Sequence, residues 1–383
     1  MTFTEIEIQS IFGHEAAEDE DIARLRQYYV KSRTFEHVSS DLALRIVVGH
    51  KGIGKSALFQ VAMAEDGEAG RIAILIRPDD VLDIDTGDKE FLKAIRDWKT
   101  GISEIIAAKV LEKVGADGEA WRDYFQKFSG TLLGFLDKTF KGEMPFSTVP
   151  AKKLLVDRFL EEQRISIYID DLDRGWQGRK QDIHRISALL NAARDLSTES
   201  RGLLFRISLR SDVYYLVRTS DESTDKIEGS VIWYTWTNHE IFALLVKRVE
   251  SFFGRTIDDA TLLAMHQQRL SNFLRPIIVE RFDGRGHWKN APIYRVLLSL
   301  VRKRPRDLVK LLTLSARAAR NDGAGKIHTA HLEQSFEEYS QGRLQDTVNE
   351  FRSELPDIER LLISMKPSSK KRTTKESYIY STD

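Results

Sequence analysis

The sequence predicts an α/β fold in which a mostly parallel sheet is flanked by helices, with a helical insert and a C-terminal helical lid domain. Short apolar runs alternate with segments of helical periodicity, which is the pattern of parallel strands joined by crossover helices. The predicted strands cover residues 42–48, 72–76, 165–169, 203–209 and 231–236. After about residue 238 the pattern is helical, so the sheet belongs to the earlier part of the chain.

The chain is longer than one average domain, and the patterning divides it into four regions. These are an N-terminal arm and linker helix at 1–40, with helical patterning over 15–31; a core at 41–255; a helical lid domain at 256–345; and a C-terminal helix and basic tail at 346–383, with its basic run at 366–375. A helical insert at about 88–150 interrupts the core, and its aromatic residues favour internal packing over a cofactor site.

Composition excludes several classes of site and partner. The 58 Lys and Arg residues balance 58 Asp and Glu residues, so no global field draws the chain to nucleic acid or to a membrane. With no cysteine, disulfides, cysteine-ligated zinc and thiol nucleophiles are excluded. The acidic N-terminal stretch is unlike a secretory signal, and no apolar run approaches the roughly 18 residues of a membrane helix. We therefore expect a cytoplasmic protein without a membrane partner.

Residues 49–56 match the phosphate-binding pattern G-x-x-x-x-G-K-[ST], between a predicted strand and a predicted helix at about 55–64. Glycines let backbone N–H groups turn towards phosphate oxygens, and the helix start adds the positive end of its dipole. The predicted nucleotide-binding residues are Gly49, His50, Lys51, Gly52, Ile53, Gly54, Lys55, Ser56 and Ala57. Lys55 is expected to reach the β- and γ-phosphates of ATP, and Ser56 to bind Mg²⁺. The alternative is a coincidental glycine-rich turn.

Three aspartates follow the predicted strand at 165–169. Ligands of open α/β sheets bind at the carboxyl ends of the strands, which is where Asp170, Asp171 and Asp173 lie. Asp170 is expected to hold Mg²⁺ through a water molecule, since Mg²⁺ prefers hard oxygen ligands. Either Asp171 or Asp173 would then orient or deprotonate the attacking water. The alternative is a turn and helix cap, where aspartate is common.

Together, GHKGIGKS and IYIDDLDRGW resemble the motifs of the STAND and KAP branches of the AAA+-like P-loop ATPases. With the segments at 11–18, 209–212 and 304–308, the chain looks like a bacterial family usually described only as P-loop ATPases, over residues 11–347. The resemblance implies Mg-dependent ATP binding and hydrolysis. One departure is the long interval between the two motifs, which the insert occupies.

The resemblance also implies roles for three arginines. Arg210 matches a sensor of the γ-phosphate, although a surface salt bridge to Asp212 is the alternative. Arg306 resembles the second sensor of the helical lid, and the alternative is a solvated basic face. Arg174 matches a finger that acts on a neighbouring protomer, with an intramolecular tether as the alternative.

An adenine pocket near Ile11 and Phe12 is a further implication of the resemblance. Residues before the sheet commonly wrap the base in such ATPases. The alternative is a hydrophobic contact that docks the N-terminal arm on the core. The sequence contains no N/T-K-x-D motif of the kind that reads guanine, so ATP is the expected nucleotide.

Two kinds of function fit these motifs. The first is a regulatory ATPase switch that forms a homo-oligomer and acts on a separately encoded effector protein, because relatives in the resembled branches are frequent in bacterial anti-phage and stress systems. The second is a DNA-stimulated motor or loader in recombination or repair. Its signal is a mixture of basic and aromatic residues, namely Arg281, Arg285, His287, Trp288, Lys289, Arg295, Arg302, Lys303, Arg304 and Arg306. For this cluster, the alternative to DNA or RNA binding is a face of the lid or of a contact with a protein partner. A nucleotide-stabilised scaffold with little turnover is a third alternative.

Overall fold

A computed structural model gives the architecture of most of the chain. It describes residues 1–14, 17–84, 90–116, 164–200, 202–220 and 222–365. The larger part of the predicted insert and the basic run at 366–375 lie outside the described residues.

The core is a five-stranded sheet in which every neighbouring pair of strands is parallel. The strands are β1 (Leu44–Val48), β2 (Ile72–Ile76), β3 (Ile165–Ile169), β4 (Leu203–Leu209) and β5 (Val231–Trp233). Their order across the sheet is β2-β3-β4-β1-β5, so β4 lies between β1 and β3. The predicted α/β class with a parallel sheet is confirmed.

Two strands are shorter than the sequence predicts. The carbonyl of Leu42 accepts a hydrogen bond from Arg206 Nη1 at 2.8 Å, and β1 begins only at Leu44. At the other end, β5 ends at Trp233, although the N–H of Tyr234 still donates to the carbonyl of Val48 at 2.8 Å, and both Tyr234 and Trp236 are buried. There Trp236 Nε1 donates to the carbonyl of Ile53 at 2.8 Å.

Helices cover both faces of the sheet and make up the C-terminal part of the described chain. They are α1 (Glu5–Phe12), α2 (Ile22–Tyr28), α3 (Arg33–Ser39), α4 (Lys55–Glu68), α5 (Phe91–Ala116), α6 (Lys180–Glu199), α7 (Ser211–Ser220), α8 (Asn238–Phe252), α9 (Asp259–Ala264), α10 (Gln267–Leu270), α11 (Ile293–Leu300), α12 (Pro305–Asn321), α13 (Thr329–Phe351) and α14 (Ile358–Ser364). Across the described ranges, no helix combines the length and apolar character that a membrane crossing requires.

The N-terminal arm differs from the prediction of a helix over 15–31. Its described residues contain three short α-helices and a 3-10 turn at Ala17–Asp19. Helix α2 begins at Ile22 because Asp21 caps it, accepting the backbone N–H of Arg24 at 3.0 Å. Helix α4 continues beyond the predicted end to Glu68, and α13 runs through the predicted boundary at 345.

Alternate residues of each strand enter different cores. In β1, Val47 packs with α4, the arm and the C-terminal helices, whereas Ile46 and Val48 pack with α5 and α6. This is the period of two expected for a strand that is buried on both faces. Helix α1 contacts α8 and α12, so the arm is packed against the C-terminal helical region as well as the sheet.

A buried arginine ties β4 to the segment before β1. Arg206 is only 2% exposed, and Nη1 donates to the carbonyls of Leu42 at 2.8 Å and Phe205 at 2.9 Å. Its Nη2 donates to the carbonyl of Ser40. Burial lowers the pKa of Arg206 to about 10, which leaves it charged at neutral pH. The sheet therefore depends on a cation whose hydrogen bonds go to backbone carbonyls.

We expect Arg206→Ala to lower the free energy of unfolding by about 2–4 kcal/mol, because buried carbonyls would lose their donor. Urea unfolding followed by circular dichroism measures this change. The matched control is Arg164→Ala, which removes a half-exposed arginine that pairs with Asp41 at 2.8 Å. The control should change the free energy by less than about 0.5 kcal/mol. Equal effects of the two variants would contradict the assigned role of Arg206.

Candidate nucleotide-binding site

The predicted phosphate loop connects β1 to α4 in a conformation that requires glycine. Gly52 and Gly54 have φ angles of 77° and 101°, in the left-handed region that residues with a Cβ rarely adopt. Gly49 is restricted by space instead, since a Cβ there would lie 3.0 Å from Ile53 Cγ2 and 3.1 Å from the carbonyl oxygen of Tyr234. The first N–H groups of α4 have no acceptor within the helix and suit an anion.

Lys55 begins α4 and folds back over this loop. Its Nζ donates to the carbonyl of Gly49 at 2.8 Å and to that of His50 at 3.4 Å. Burial lowers the pKa of Lys55, and the nearby Asp173 and Asp170 oppose that shift. The ammonium group therefore lies between the phosphate loop and the acidic strand end, where a phosphate would also satisfy it.

The three aspartates lie in different surroundings, although all line the same cavity. Asp170 continues β3, donating its N–H to the carbonyl of Ile76 at 3.1 Å and accepting a hydrogen bond from Ser208 Oγ. Asp173 is 6% exposed and accepts the backbone N–H of Arg210 at 2.9 Å. The side chain of Asp171 is 56% exposed, with a φ of 60° in the left-handed region.

Two of these carboxyl groups hold their protons more tightly than usual. Burial raises the pKa of Asp171, and the negative charges of Asp173 and Asp170 raise it further. Burial also raises the pKa of Asp173, against the opposing charge of Lys55. Asp171 thus has an exposed carboxylate on a backbone in the left-handed region. Asp173 is buried, and it accepts a hydrogen bond from the segment that follows β4.

The loop and the aspartates face a cavity of about 730 Å³. Besides them, its wall contains residues from the arm and from the C-terminal helices, including His14, Leu25, Tyr28, Arg248, Pro305, Arg306 and Val309. Arg248 is 9% exposed and stacks over the ring of Tyr28, with its guanidinium carbon 4.2 Å from the ring centroid. The cavity therefore has a charged end at the phosphate loop and a part lined by apolar and aromatic groups.

The arm contributes to this wall through residues other than those predicted. Ile11 and Phe12 are each only 1% exposed and belong to the core. The arm residues on the cavity wall include Leu25 and Tyr28 from α2. Ile11 and Phe12 are not among the residues that line this cavity, and the adenine contact near them stays a prediction.

The predicted sensor arginines are held by contacts within the chain. Arg210 Nε donates to Asp212 Oδ1 at 3.1 Å, and Nη2 donates to Asp212 Oδ2 and, at 2.9 Å, to the carbonyl of Glu350. Arg306 packs on the phosphate loop, where a Cβ built on Gly52 would lie 3.3 Å from both Cβ and Cδ of Arg306. Both arginines line the cavity.

Arg174 is the most exposed of the predicted arginines, with 75% of its side chain accessible. Its Nε lies 3.9 Å from Asp171 Oδ2, a distance typical of a weak surface pair. The described chain thus has the intramolecular tether that the sequence left as an alternative. It also leaves most of the guanidinium free to meet another molecule.

Glu350 was not predicted from the sequence, yet it contacts the phosphate loop. Its carboxylate is 1% exposed and accepts from Arg304 Nη1 at 3.1 Å, and Oε1 lies 3.4 Å from His50 Nδ1. Burial opposes its ionisation, but the hydrogen bond from His50 and the charge of Arg304 prevail and lower the pKa of Glu350 to about 2. The one sequence signal was an acidic residue in the last turn of a helix, where negative charge is unfavourable.

A Mg²⁺ ion fits the donors at this site, but only with additional ligands. Among the described residues, no group of three or more His, Asp or Glu side chains could hold a metal ion. The Ser56 hydroxyl and the Asp170 carboxylate supply hard oxygens on one cavity wall. Mg²⁺ usually binds one or two such groups and completes its octahedral shell with water and substrate phosphates. The predicted pair of ligands is therefore compatible with Mg²⁺ bound together with a nucleotide.

The glycine-rich loop follows the carboxyl end of β1, and the aspartates follow the carboxyl end of β3. Both line the same cavity, and this arrangement identifies the type of fold. The fold is that of a P-loop NTPase. A family model described as the FunZ-associated C-terminal helical domain matches residues 239–348, which run from α8 into α13. The putative transposon gamma-delta 80.3 kDa protein of Escherichia coli (strain K12) is 23% identical over 91% of this chain and 52% of its own length. This chain thus spans about half of that relative.

Three solved structures are among those that resemble this chain. They are a Walker-type ATPase of Pyrococcus abyssi (13% identity, 85% of this chain and 75% of that chain, TM-score 0.41), Cdc6p from Pyrobaculum aerophilum (16%, 77% and 60%, 0.35) and the RuvB Holliday junction branch migration motor of Thermotoga maritima (11%, 84% and 78%, 0.36). All are distant matches.

We expect Asp171→Asn to raise the melting temperature at neutral pH. The folded protein binds the Asp171 proton more tightly than the unfolded chain does, so stability falls as pH rises through the folded pKa. Asparagine carries no charge, escapes this loss and tolerates a positive φ. Thermal unfolding of both proteins should show a larger difference at about pH 7.5 than at about pH 4.5.

The control for this measurement is Asp195→Asn, which changes a partly exposed aspartate at the far end of α6. It should shift the melting temperature little at either pH. A melting temperature for Asp171→Asn at or below that of the wild type at about pH 7.5 would contradict this account, in which burial and the charges of Asp173 and Asp170 destabilise the ionised Asp171.

Proposed function

We propose that this chain binds Mg·ATP in the cavity and hydrolyses it. The observation that carries the proposal is the convergence, on one cavity, of the phosphate loop, the aspartates after β3 and residues of the C-terminal helices. Such convergence supplies what phosphoryl transfer requires, because this chemistry depends on positioning and charge stabilisation.

The phosphate end of the site would bind through backbone and charge. The N–H groups at the start of α4 would donate to phosphate oxygens, and Lys55 would exchange its contacts with the carbonyls of Gly49 and His50 for the β- and γ-phosphates. Ser56 and Asp170 would hold Mg²⁺, which neutralises developing charge on the phosphates when bound.

Of the two candidates for the base, Asp171 fits better. Its carboxylate is open to the cavity, and its raised pKa favours proton uptake from a water molecule. Asp173 is enclosed and already accepts the backbone N–H of Arg210, so we assign it to positioning. Arg210 and Arg306 would add positive charge at the γ-phosphate, once Arg210 shares or leaves its contact with Asp212.

The base of the nucleotide would lie in the part of the cavity lined by the arm. Leu25 and Tyr28 from α2 meet Pro305 and Val309 from α12 around this space. An apolar and aromatic wall can stack a purine ring, while the guanidinium of Arg248 can donate only to acceptors on the base. This arrangement joins the arm and the C-terminal helices across one ligand.

At the level of the whole protein we propose a regulatory switch. Because Pro305 and Arg306 of α12 form part of the wall, nucleotide binding would shift the equilibrium between closed and open positions of the C-terminal helices. We further propose that the switch works as a homo-oligomer in which Arg174 meets the neighbouring protomer. A separately encoded effector, as in bacterial anti-phage or stress systems, would respond to it.

A DNA-stimulated ATPase is the second candidate, favoured by the relative whose name places it in a transposon. The basic and aromatic cluster is divided in this structure. Trp288 packs between Phe282 and Phe336, with ring centroids 5.9 Å from each. Arg306 lines the cavity, and Arg304 pairs with Glu350. The exposed members of the loop before α11, Arg285, His287 and Lys289 among them, remain available for phosphates of DNA.

We expect Lys55→Ala to lower kcat/KM for Mg·ATP by about a hundredfold or more, because the γ-phosphate loses its cation. Asp171→Asn should lower kcat by a similar factor with little change in KM, since the base acts mainly in the transition state. Phosphate release with and without Mg²⁺ measures both. The control Lys93→Ala removes an exposed lysine of α5 and should leave turnover unchanged.

Single- and double-stranded DNA added to the same assay separates the two candidates. An ATP turnover rate that does not change when DNA is added favours the switch. A rate that DNA strongly stimulates, with a stimulation that declines steeply as the salt concentration rises, favours the motor. If the wild type binds no Mg·ATP in equilibrium dialysis, the proposed function is wrong. If it binds nucleotide and Lys55→Ala hydrolyses as fast as the wild type, the assignment of the loop is wrong.

A further inference from the structure

The C-terminal end of α13 lies against the outer side of the phosphate loop. Glu350 Oε1 is 3.4 Å from His50 Nδ1 and 3.5 Å from the backbone nitrogen of Lys51, which donates to it. His50 Nδ1 is in addition 3.0 Å from Ser211 Oγ, at the start of α7. One carboxylate thus contacts both a side chain and a backbone N–H of the loop that would hold the phosphates.

The same short segment contacts the loops that follow β4 and β3. The carbonyl of Glu350 accepts from Arg210 Nη2 at 2.9 Å, beside the γ-phosphate end of the cavity. Two residues past the end of α13, the carbonyl oxygen of Ser353 would lie 3.6 Å from a Cβ built on Gly178, in the loop after the aspartates. All three loops that carry the proposed chemistry therefore meet one end of one helix.

Glu350 occupies a position where an acidic residue is costly unless it has a specific partner. The last turn of α13 contains no basic residue, and the carbonyl end of a helix disfavours negative charge. With its side chain 1% exposed, the carboxylate also loses most of its hydration. Arg304, whose side chain is 15% exposed, supplies the compensating charge from the residue before α12.

We propose that Glu350 is a positioning residue that couples the C-terminal helices to the phosphate loop and to Arg210. This inference rests on the proposed function and names the contact through which ATP hydrolysis would be regulated. A displacement of α13 would move the outer wall of the loop and the acceptor of Arg210 together. Closure of the helical region would then set the geometry for hydrolysis, whereas nucleotide binding at the far side of the cavity would depend on it less.

The test compares Glu350→Gln and Glu350→Ala with the wild type. Glutamine keeps an acceptor for the Lys51 N–H and loses the charge paired with Arg304; alanine loses both. We expect kcat to fall about tenfold in the first and further in the second, with KM for Mg·ATP changing less than about threefold. Arg304→Met should lower kcat similarly, and adding Glu350→Gln to it should cost little more, because the two residues act as one unit.

A second readout follows the coupling itself. On addition of a slowly hydrolysed ATP analogue with Mg²⁺, hydrogen exchange in the wild type should slow in the phosphate loop and in the last turn of α13. In Glu350→Gln the analogue should still slow hydrogen exchange in the phosphate loop, but it should no longer slow exchange in the last turn of α13. The control Glu338→Gln, at an exposed position of the same helix, should match the wild type in both measurements.

Failure of this inference is distinct from failure of the proposed function. If the wild type is active and the Glu350 variants match Glu338→Gln in kcat and in exchange, the coupling role is wrong and the ATPase assignment stands. If the Glu350 variants show a higher KM for Mg·ATP and a lower melting temperature but an unchanged kcat, Glu350 has only a structural role and the proposal is wrong. If the wild type neither binds nor hydrolyses Mg·ATP, both proposals fail.

Discussion

The parallel alignment of β1, β4 and β3 is the constraint on which the site depends. The last residue of β1, Val48, lies opposite Leu209 at the end of β4, and Ile207 of β4 lies opposite Ile169 at the end of β3. The turns after the three strands therefore leave the sheet at nearly the same level. Segments far apart in the sequence meet at this edge, as ligand sites in open parallel sheets do.

A second layer of the site comes from helices that contribute nothing to the sheet. The arm, α12 and α13 reach the same edge from different directions, and their contacts there involve buried or half-buried charges. A buried charge without a partner is costly. The ion pairs therefore restrict the positions of the arm, α12 and α13 more strictly than apolar packing alone would. The cavity is thus formed jointly by the sheet and by a helical region that follows it in the chain.

The sequence predicted the elements whose signals are local. Apolar runs bounded by Gly or Asp predicted β2, β3 and β4 to the residue, and the phosphate-loop pattern fixed the start of α4. The arm was predicted less well, because the cap at Asp21 and the packing of Phe12 depend on where the chain turns. Propensity and periodicity contain no information about such contacts.

Residues that act through distant partners were the hardest to predict. Glu350 resembles any acidic residue on a helix until its contacts with His50 and Arg304 are known. Arg210 had two interpretations, and the structure shows both the salt bridge to Asp212 and a position on the wall of the cavity. Periodicity treats a charge as solvated by default, and only tertiary contacts reveal that it is buried.

The contact between Gly52 and Arg306 has a consequence for how this sequence can change over evolution. A Cβ at this loop position would crowd Cβ and Cδ of Arg306, and the positive φ is costly for any residue other than glycine. A shorter residue at 306 would remove the contact with Cδ, but the contact with Cβ and the positive φ would remain. Among homologous chains we therefore expect glycine at position 52 to persist when the residue at 306 changes.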